Sequence, residues 1–334
     1  MNEYVTLAHG SGGLAMARLI RELFVEVFAD PELARLEDQA RIPLPEGQPV
    51  FTTDAFVVDP PFFPGGDIGR LAVCGTVNDL AVGGARPLYL SCAFILEEGL
   101  PLADLRRIAT SMKRAADEAG VRLVTGDTKV VPRGAADGIF ITTSGVGVVP
   151  SGLDLGGHRL QPGDKILVSG PLGDHGAAVV DARGELGLEH GIVSDCQPLA
   201  DLVRALVGQV PVHALRDPTR GGLAAVLNEW ADASGLTLLV DEPAVPVRDA
   251  VRGLCELLGL DPLYLACEGR VAAAVPEEAA EAALALLRNH PRGRGAALIG
   301  EVGQDGTAQV VLKTPFGGHR LLDLPVGEPL PRIC

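Results

Sequence analysis

Apolar residues follow helical and strand periods in both halves of the chain. In the first half, helical spacing occurs over 14–24, 68–80 and 105–119, and strand-like runs occupy 50–58, 121–124 and 139–142. In the second half, the predicted helices are 199–207, 223–234 and 279–287, and the predicted strands are 165–169, 237–240, 270–275 and 296–302. Strands and helices mix without strict βαβ alternation. This favours an α+β fold in two halves, separated by the turn-rich stretch 150–157.

The same pattern predicts four regions. They are an N-terminal glycine-rich segment 1–40, a first domain 41–150, a second domain 151–320 and a mobile tail 321–334. Three prolines and one glycine lie in the last ten residues, which favours an extended, poorly hydrogen-bonded arm ending in Cys334. That thiol is either a free group on a frayed end or a carrier nucleophile that visits a second site.

Composition and charge exclude some classes of function for this chain. The 334 residues are 47% hydrophobic, which supports a large core, and the net charge of −15 repels a nucleic-acid backbone. We therefore expect no nucleic-acid partner, and we expect any nucleotide phosphate to be held by metal ions and amide-rich loops. No apolar run reaches membrane length and no signal pattern opens the chain, so a cytoplasmic protein with no membrane partner is expected. The six cysteines include no C-x-x-C pair and are interpreted as reduced thiols.

A glycine-rich stretch lies near the N-terminus. Gly10, Ser11, Gly12 and Gly13 precede an apolar-periodic segment, so their N–H groups and the following helix start are candidates for anion binding. A purely structural turn is the alternative.

Carboxylates at predicted strand or turn ends form a second candidate set. Its members are Asp54, Asp67, Asp79, Asp127 (after Gly126) and Asp217 (near Thr219). Single aspartates beside glycine are commonly turn formers. Asp79 differs because it lies in an apolar helical stretch, where an unpaired charge is costly. Convergence on Mg²⁺ and a triphosphate would account for all of them.

Three further side chains could carry chemistry. Lys129 is either a phosphate contact or a surface lysine, and His175 is either a base or a loop histidine. Glu268 interrupts an apolar run and is a candidate buried base, while the adjacent Cys267 is interpreted as a small buried apolar side chain.

Taken together, these motifs resemble one family. Asp79 followed by Gly84-Ala85-Arg86-Pro87 is similar to the D-x4-G-A-x-P signature of the aminoimidazole ribonucleotide synthetase-like (PurM-like) superfamily. Within it the chain most resembles the HypE family of NiFe-hydrogenase maturation factors. The residues that carry the resemblance are His9–Gly13, 59–66, Thr125–Val131, Gly173–Gly176, Asp217–Gly222 and Pro331–Cys334.

The resemblance implies a two-domain PurM-like fold and ATP-dependent dehydration of an S-carbamoyl group on Cys334 to an S-cyanate. It implies Asp54, Asp67, Asp79 and Asp217 at Mg²⁺-nucleotide positions, with Lys129 and Glu268 facing the carbamoyl group and His175 as a second candidate base. The implied partners are a HypF-type carbamoyltransferase, a HypC–HypD complex as cyano acceptor and a second copy of the chain. Two alternatives stay open: another ATP-using superfamily enzyme such as a selenophosphate synthetase, and a non-catalytic cysteine carrier. Cys267 departs from the family pattern, which usually has Asn there, and this weakens the assignment of Glu268.

Overall fold

A computed structural model describes residues 3–184, 191–324, 327, 330 and 332–334. The first half of the chain forms a four-stranded sheet in the order β1-β6-β4-β5, in which the pair β4–β5 is parallel and the other pairs are antiparallel. Its strands, with a small hairpin β2–β3, are β1 (Gln48–Phe56), β2 (Phe62–Phe63), β3 (Gly66–Asp67), β4 (Arg86–Glu97), β5 (Arg122–Val131) and β6 (Ile139–Val149). The strands β1 and β5 are the two edges of this sheet.

Helices cover one face of the sheet. They are α1 (Leu14–Leu19), which continues as a π-helix over Ile20–Val25 into α2 (Glu26–Phe28), then α3 (Ile68–Val82) and α4 (Leu102–Ala119). Nearly every side chain of α3 is buried, whereas α4 buries one apolar face and ends at Gly120, whose φ of +71° suits glycine. Phe24 stacks on Phe94 of β4 at 4.7 Å and joins the N-terminal helix to the same core.

The second half forms a seven-stranded sheet in the order β13-β12-β9-β11-β7-β10-β8. Its strands are β7 (Lys165–Val168), β8 (Ala214–Arg216), β9 (Leu238–Asp241), β10 (Ala272–Val275), β11 (Ala297–Val302), β12 (Val310–Lys313) and β13 (His319–Leu321). Its helices are α5 (Asp174–Ala182), α6 (Ala200–Val207), α7 (Gly222–Ser234), α8 (Asp249–Leu258) and α9 (Ala280–Asn289). Trp230 and Leu227 of α7 are buried against this sheet.

Three sequence expectations need correction. Asp54 lies inside β1 and Asp127 inside β5, not at strand or turn ends. Strand β4 was not predicted, because Pro87 is its second residue and because Ala93 and Ile95 make its less buried face apolar too, which hides the alternation in the sequence. Helices α5 and α8 were also missed, since their glycines and short length weaken the helical pattern.

Residues 332–334 make more hydrogen bonds than the composition of the tail predicts. The Val57 N–H donates to the carbonyl of Cys334 at 3.1 Å, and the Asp59 N–H donates to that of Arg332 at 3.2 Å. Arg332 Nε donates back to the Val57 carbonyl at 3.0 Å. The prediction of a poorly hydrogen-bonded arm is therefore wrong for 332–334; the rest of that prediction falls largely on 325, 326, 328, 329 and 331, which lie outside the described residues.

Among the residues that the structure describes, no helix is both long and apolar enough to span a membrane.

Candidate functional site

A cleft of about 540 Å³ opens where the two halves meet beside strand β1. Strand β1 contributes Asp54, the last turns of α3 contribute Asp79, and the loop between β8 and α7 contributes Asp217, Thr219 and Arg220. Gly222, at φ +60°, begins α7 against the main chain of Leu263 and Leu265, where a Cβ atom would lie 2.5 Å from the Leu263 oxygen. The cleft therefore gathers three carboxylates from three separate chain segments.

Burial and mutual repulsion raise the pKa values of two of these carboxylates, Asp79 and Asp217. Burial, followed by the charge of Asp54, raises the pKa of Asp79, whose Oδ2 accepts a hydrogen bond of 3.0 Å from Thr52. Burial, followed by the charge of Asp79, raises the pKa of Asp217 to about 7. In the part of the chain that is described, Asp217 Oδ2 has no hydrogen-bond donor. A cation shared by these groups would relieve both the repulsion and the missing bond.

The donor set fits a hydrated Mg²⁺ better than a closed protein cage. Carboxylate oxygens are the ligands that this ion prefers, and it commonly takes only one or two of them, with water and phosphate completing the shell. Within the described residues, no group of three or more His, Cys, Asp or Glu side chains is close enough to form a metal site from protein ligands alone. Asp54, Asp79 and Asp217 would hold the ion together with a nucleotide.

The terminal thiol lies at this cleft. Cys334 Sγ is 3.8 Å from an Arg220 guanidinium nitrogen, which is itself 3.7 Å from Asp54. Burial, followed by the negative charge of Glu268, raises the pKa of the Cys334 thiol to about 12, although Arg220 opposes this shift. The thiol is therefore protonated at neutral pH, and Arg220 is the cation that contacts it.

Glu268 is buried close to the thiol. Its main chain is anchored because its N–H donates to Asp195 at 3.1 Å and its carbonyl accepts from Asn78 at 3.3 Å. Burial, followed by the charges of Asp217 and Asp195, raises the pKa of the Glu268 carboxyl well above its usual range. Once deprotonated, such a carboxylate is a much stronger base than an exposed one.

His175 holds the tail instead of facing the thiol. The ring is fully buried, and Nε2 donates to the Ile333 carbonyl at 2.9 Å, since a carbonyl can only accept. Nδ1 therefore accepts from the Ser194 hydroxyl at 2.8 Å. Both ring nitrogens are engaged and burial lowers the ring pKa, so the prediction of His175 as a base is corrected to that of a tail anchor.

Family models and a known relative together match this chain over its whole length. Residues 36–149 match the family model for the N-terminal domain of AIR synthase related proteins, and 161–313 match that for the C-terminal domain. The carbamoyl dehydratase HypE of Rhodobacter capsulatus is 56% identical, over 100% of this chain and 99% of that protein. The chain belongs to the HypE family of carbamoyl dehydratases.

Solved HypE structures share the fold. A HypE crystal structure in complex with ATP is 53% identical and has a TM-score of 0.93, covering 98% of this chain and 99% of that chain. The structure of a HypE–HypF complex matches at 46% identity with a TM-score of 0.81, covering 92% and 99%. The predicted α+β, PurM-like fold and the HypE resemblance are confirmed.

The other predicted site residues lie at the opposite edge of the first sheet. Gly126, Asp127 and Lys129 are on β5, and Gly10 packs against Val130 of the same strand. The remainder of the glycine-rich stretch follows Gly10, with Ser11 bonded to the Ala8 carbonyl. Three strand spacings, about 14 Å, separate β5 from β1. One protomer therefore holds two groups of predicted residues that do not meet.

Lys129 forms an ion pair of 2.8 Å with Asp127, and its side chain is 63% exposed. It points to the face of the sheet that carries no helices, because it is paired in register with the exposed Ile95. Within one protomer it does not approach Cys334.

Asp67 does not join the other aspartates. It precedes the first residue of α3, and Oδ1 accepts the N–H groups of Gly69 and Arg70 at 2.8 and 3.0 Å as a helix cap. Asp79 lies twelve positions later, about 18 Å along the same helix. The prediction that both ligate one metal ion within a protomer is therefore corrected.

The structure bears on the interpretation of two more residues, Cys267 and Arg220. Cys267 is fully buried, its Sγ accepts from the Gly173 N–H at 3.1 Å, and burial raises its thiol pKa well above the usual range, as expected for an inert side chain. Arg220, in contrast, was not singled out from the sequence. Its position in Asp217-Pro218-Thr219-Arg220, beside a predicted ligand, was the available signal.

Proposed function

We propose that this protein uses ATP to convert an S-carbamoyl group on its own Cys334 into an S-cyanate. The observation that carries the proposal is the terminal thiol at 3.8 Å from Arg220, beside the buried Glu268 and the acidic cleft. The family assignment and the relative solved with ATP support the same reaction.

The overall reaction removes one water from the thiocarbamate. The carbamoyl oxygen takes the terminal phosphoryl group of ATP and releases ADP, because oxygen is a poor leaving group until it is phosphorylated. Loss of the nitrogen protons then expels phosphate and leaves the carbon–nitrogen triple bond. When bound, Mg²⁺ neutralises phosphate charge at this step.

Different residues of the chain carry out different parts of this reaction. Glu268 in its ionised form accepts one nitrogen proton and the other leaves with the phosphate; Glu268 is suited to this because it is buried beside the thiol and its raised pKa makes its carboxylate strongly basic. Arg220 orients the carbamoyl group and stabilises negative charge on its oxygen. His175 and Val57 fix the last two residues of the chain, so that the reacting sulfur is held in one place. The docked tail also excludes water, which would hydrolyse an activated ester.

The partners follow from this reaction. A HypF-type carbamoyltransferase would load Cys334, and a HypE–HypF complex is known for a relative. A HypC–HypD complex would accept the cyano group. Loading requires the tail to leave its docked position, so the bonds of 332–334 to Val57, Asp59 and His175 must break in each cycle.

A homodimer is the remaining partner, and the sheet edges support it. Among the described residues, β1 and β5 are the edge strands of their sheet, and apolar Phe51 of β1 and Ile95 of the inner strand β4 are exposed. A two-fold pairing of β1 with the second copy's β5 would bring Lys129 and the glycine-rich stretch of one copy to the Asp54–Cys334 side of the other. The nucleotide site would then be shared between two copies.

Mixing two inactive variants tests this shared site. Lys129→Ala and Cys334→Ala are each expected to be inactive, but random subunit exchange creates heterodimers with one intact site. Half of the dimers are mixed and half of their sites work, so about a quarter of wild-type product should return. Mass spectrometry first shows that the subunits have exchanged. If the exchanged mixture is still inactive, the shared site is contradicted.

Nucleotide binding should depend on pH through Asp217. Its pKa of about 7 in the cation-free protein means that a proton competes with Mg²⁺ below neutrality. We expect the Kd for Mg²⁺-ATP to rise about tenfold from about pH 8 to about pH 6. Asp217→Asn should bind weakly with a flat pH profile, while the exposed control Asp232→Asn keeps the slope; a flat wild-type profile in calorimetry contradicts the assignment.

The decisive comparison for function is ATP hydrolysis with and without the carbamoyl group. We expect one ADP per carbamoylated chain and almost none from the unmodified chain. The second candidate, a non-catalytic carrier in which nucleotide only regulates tail docking, predicts hydrolysis that ignores the carbamoyl group. A selenophosphate synthetase is disfavoured by the family assignment.

A further inference from the structure

A second cavity, of about 710 Å³, lies between the two halves at the other end of α3. Among the described residues it shares no lining residue with the acidic cleft. Arg70 near the start of α3 lines this cavity, and Asp79 in the cleft lies about 14 Å further along the helix. The nucleotide cleft therefore does not account for it.

The cavity is basic although the chain has 28 Lys and Arg against 43 Asp and Glu. Two aspartates, Asp174 and Asp195, are among its lining residues. Six arginines line it: Arg70, Arg114, Arg248, Arg270, Arg292 and Arg294. Such a concentration of guanidinium groups needs anions to balance it.

Arg248 and Arg270, at the inner wall of the cavity, are already paired with carboxylates. Arg270, only 8% exposed, lies 3.4 Å from Asp174 and 3.6 Å from Asp195, and Arg248 lies 3.0 Å from Asp174. Arg270 also donates to the Pro171 carbonyl at 2.9 Å, which fixes the inner wall. These charges form a rigid, nearly neutral base for the cavity.

Two of the four other arginines of the cavity are paired with carboxylates. Arg70 and Arg292 share Glu118, each at 2.9 Å, and Arg292 also contacts Asp201. Arg114 and Arg294 are exposed and form no ion pair within 3–184 and 191–324. Two guanidinium groups from separate segments are thus free to bind an anion at the mouth of a preformed cavity.

The lining also limits the ligand. No aromatic side chain of the described residues lines the cavity, so there is no ring on which a nucleobase would stack. Guanidinium groups bind phosphate oxygens in pairs. The best match is a compact phosphate-bearing anion.

One wall of the cavity is tied to the docked tail. Ser194 and Asp195 line the cavity. The Ser194 hydroxyl bonds to His175, which holds the Ile333 carbonyl, and Asp195 Oδ1 accepts the Glu268 N–H. A ligand that orders this wall would also order the tail anchor.

We propose that this arginine-lined cavity binds a small phosphate-bearing anion lacking a nucleobase, and that its occupancy stabilises the docked position of residues 332–334. The binding uses Arg114 and Arg294 at the mouth, and the coupling passes through Ser194 and His175. Neither part depends on the proposed dehydration, because both concern binding to the unmodified chain.

Calorimetry with pyrophosphate tests the binding. EDTA is present, so that the acidic cleft, without a cation, repels the probe. We expect saturable binding to the wild type, at least about tenfold weaker binding to Arg114→Gln/Arg294→Gln, and little change in the equal-charge control Arg204→Gln/Arg252→Gln. No saturable binding in the millimolar range, or equal affinity in the Arg114→Gln/Arg294→Gln variant, overturns the site.

Alkylation of Cys334 by iodoacetamide tests the coupling, since the other five cysteines are buried. Saturating pyrophosphate should slow alkylation of the wild type and leave the rate of Arg114→Gln/Arg294→Gln unchanged. An unchanged wild-type rate at saturation overturns the coupling.

Discussion

Cys334→Ala should form no S-cyanate and should not hydrolyse ATP when the carbamoyltransferase is present. The sulfur is the atom that carries the group, so no neighbouring residue can replace it. The fold should survive, because the Ile333 side chain remains buried and the contacts of 332–334 with Val57, Asp59 and His175 do not use the Cys334 side chain. Product by mass spectrometry and Tm by calorimetry measure the two expectations.

Cys255→Ala is the matched control. Cys255 is buried on α8 in a cluster with Val251 and Leu254 and does not line the acidic cleft, so this variant should keep wild-type turnover. If Cys334→Ala still hydrolysed ATP at the wild-type rate, the thiol would not be the substrate carrier. Loss of activity in both variants would instead point to a general effect on folding.

Glu268→Gln should slow cyanate formation by roughly 100-fold to 10,000-fold, the range that a positioned base contributes. Glutamine keeps the shape of the side chain but cannot accept a proton. The variant should be at least as stable as the wild type, because burial and the charge of Asp217 already disfavour the ionised carboxylate. Single-turnover kinetics with carbamoylated protein give the rate, and thermal unfolding gives the stability.

Glu278→Gln, on the protein surface, is the corresponding control and should be neutral. Unchanged kinetics in Glu268→Gln would exclude this carboxylate as the base. A loss of ATP binding with no loss of the chemical rate would assign it to nucleotide binding instead.

Local sequence patterns predicted most elements of the fold. The predicted helix over 105–119 corresponds to α4, since its apolar face is regular and Gly120 ends it. The central strand β4 escaped prediction because apolar Ala93 and Ile95 lie on its less buried face, which hides in the sequence the alternation that its burial shows. Asp127 was predicted at a strand or turn end for a different reason, since glycine and aspartate are poor strand formers, yet it lies inside β5.

The candidate site was predictable in its residue types but not in its geometry. Glu268, Asp217 and Cys334 come together although they are far apart in sequence, and motif spacing cannot show this. The engagement of both His175 nitrogens depends on Ser194, which belongs to no motif, and on the main-chain carbonyl of Ile333, whose contact no motif spacing predicts. The separation of Lys129 from Cys334 follows from strand order, which no local pattern encodes.

Intact mass spectrometry of the carbamoylated protein tests the central claim most directly. After ATP and Mg²⁺ are added, the account predicts that the chain loses the mass of one water and that peptide mapping assigns this loss to Cys334. A carbamoyl group that persists on Cys334 while ATP is consumed, or that returns to the free thiol without a dehydrated species, would contradict it.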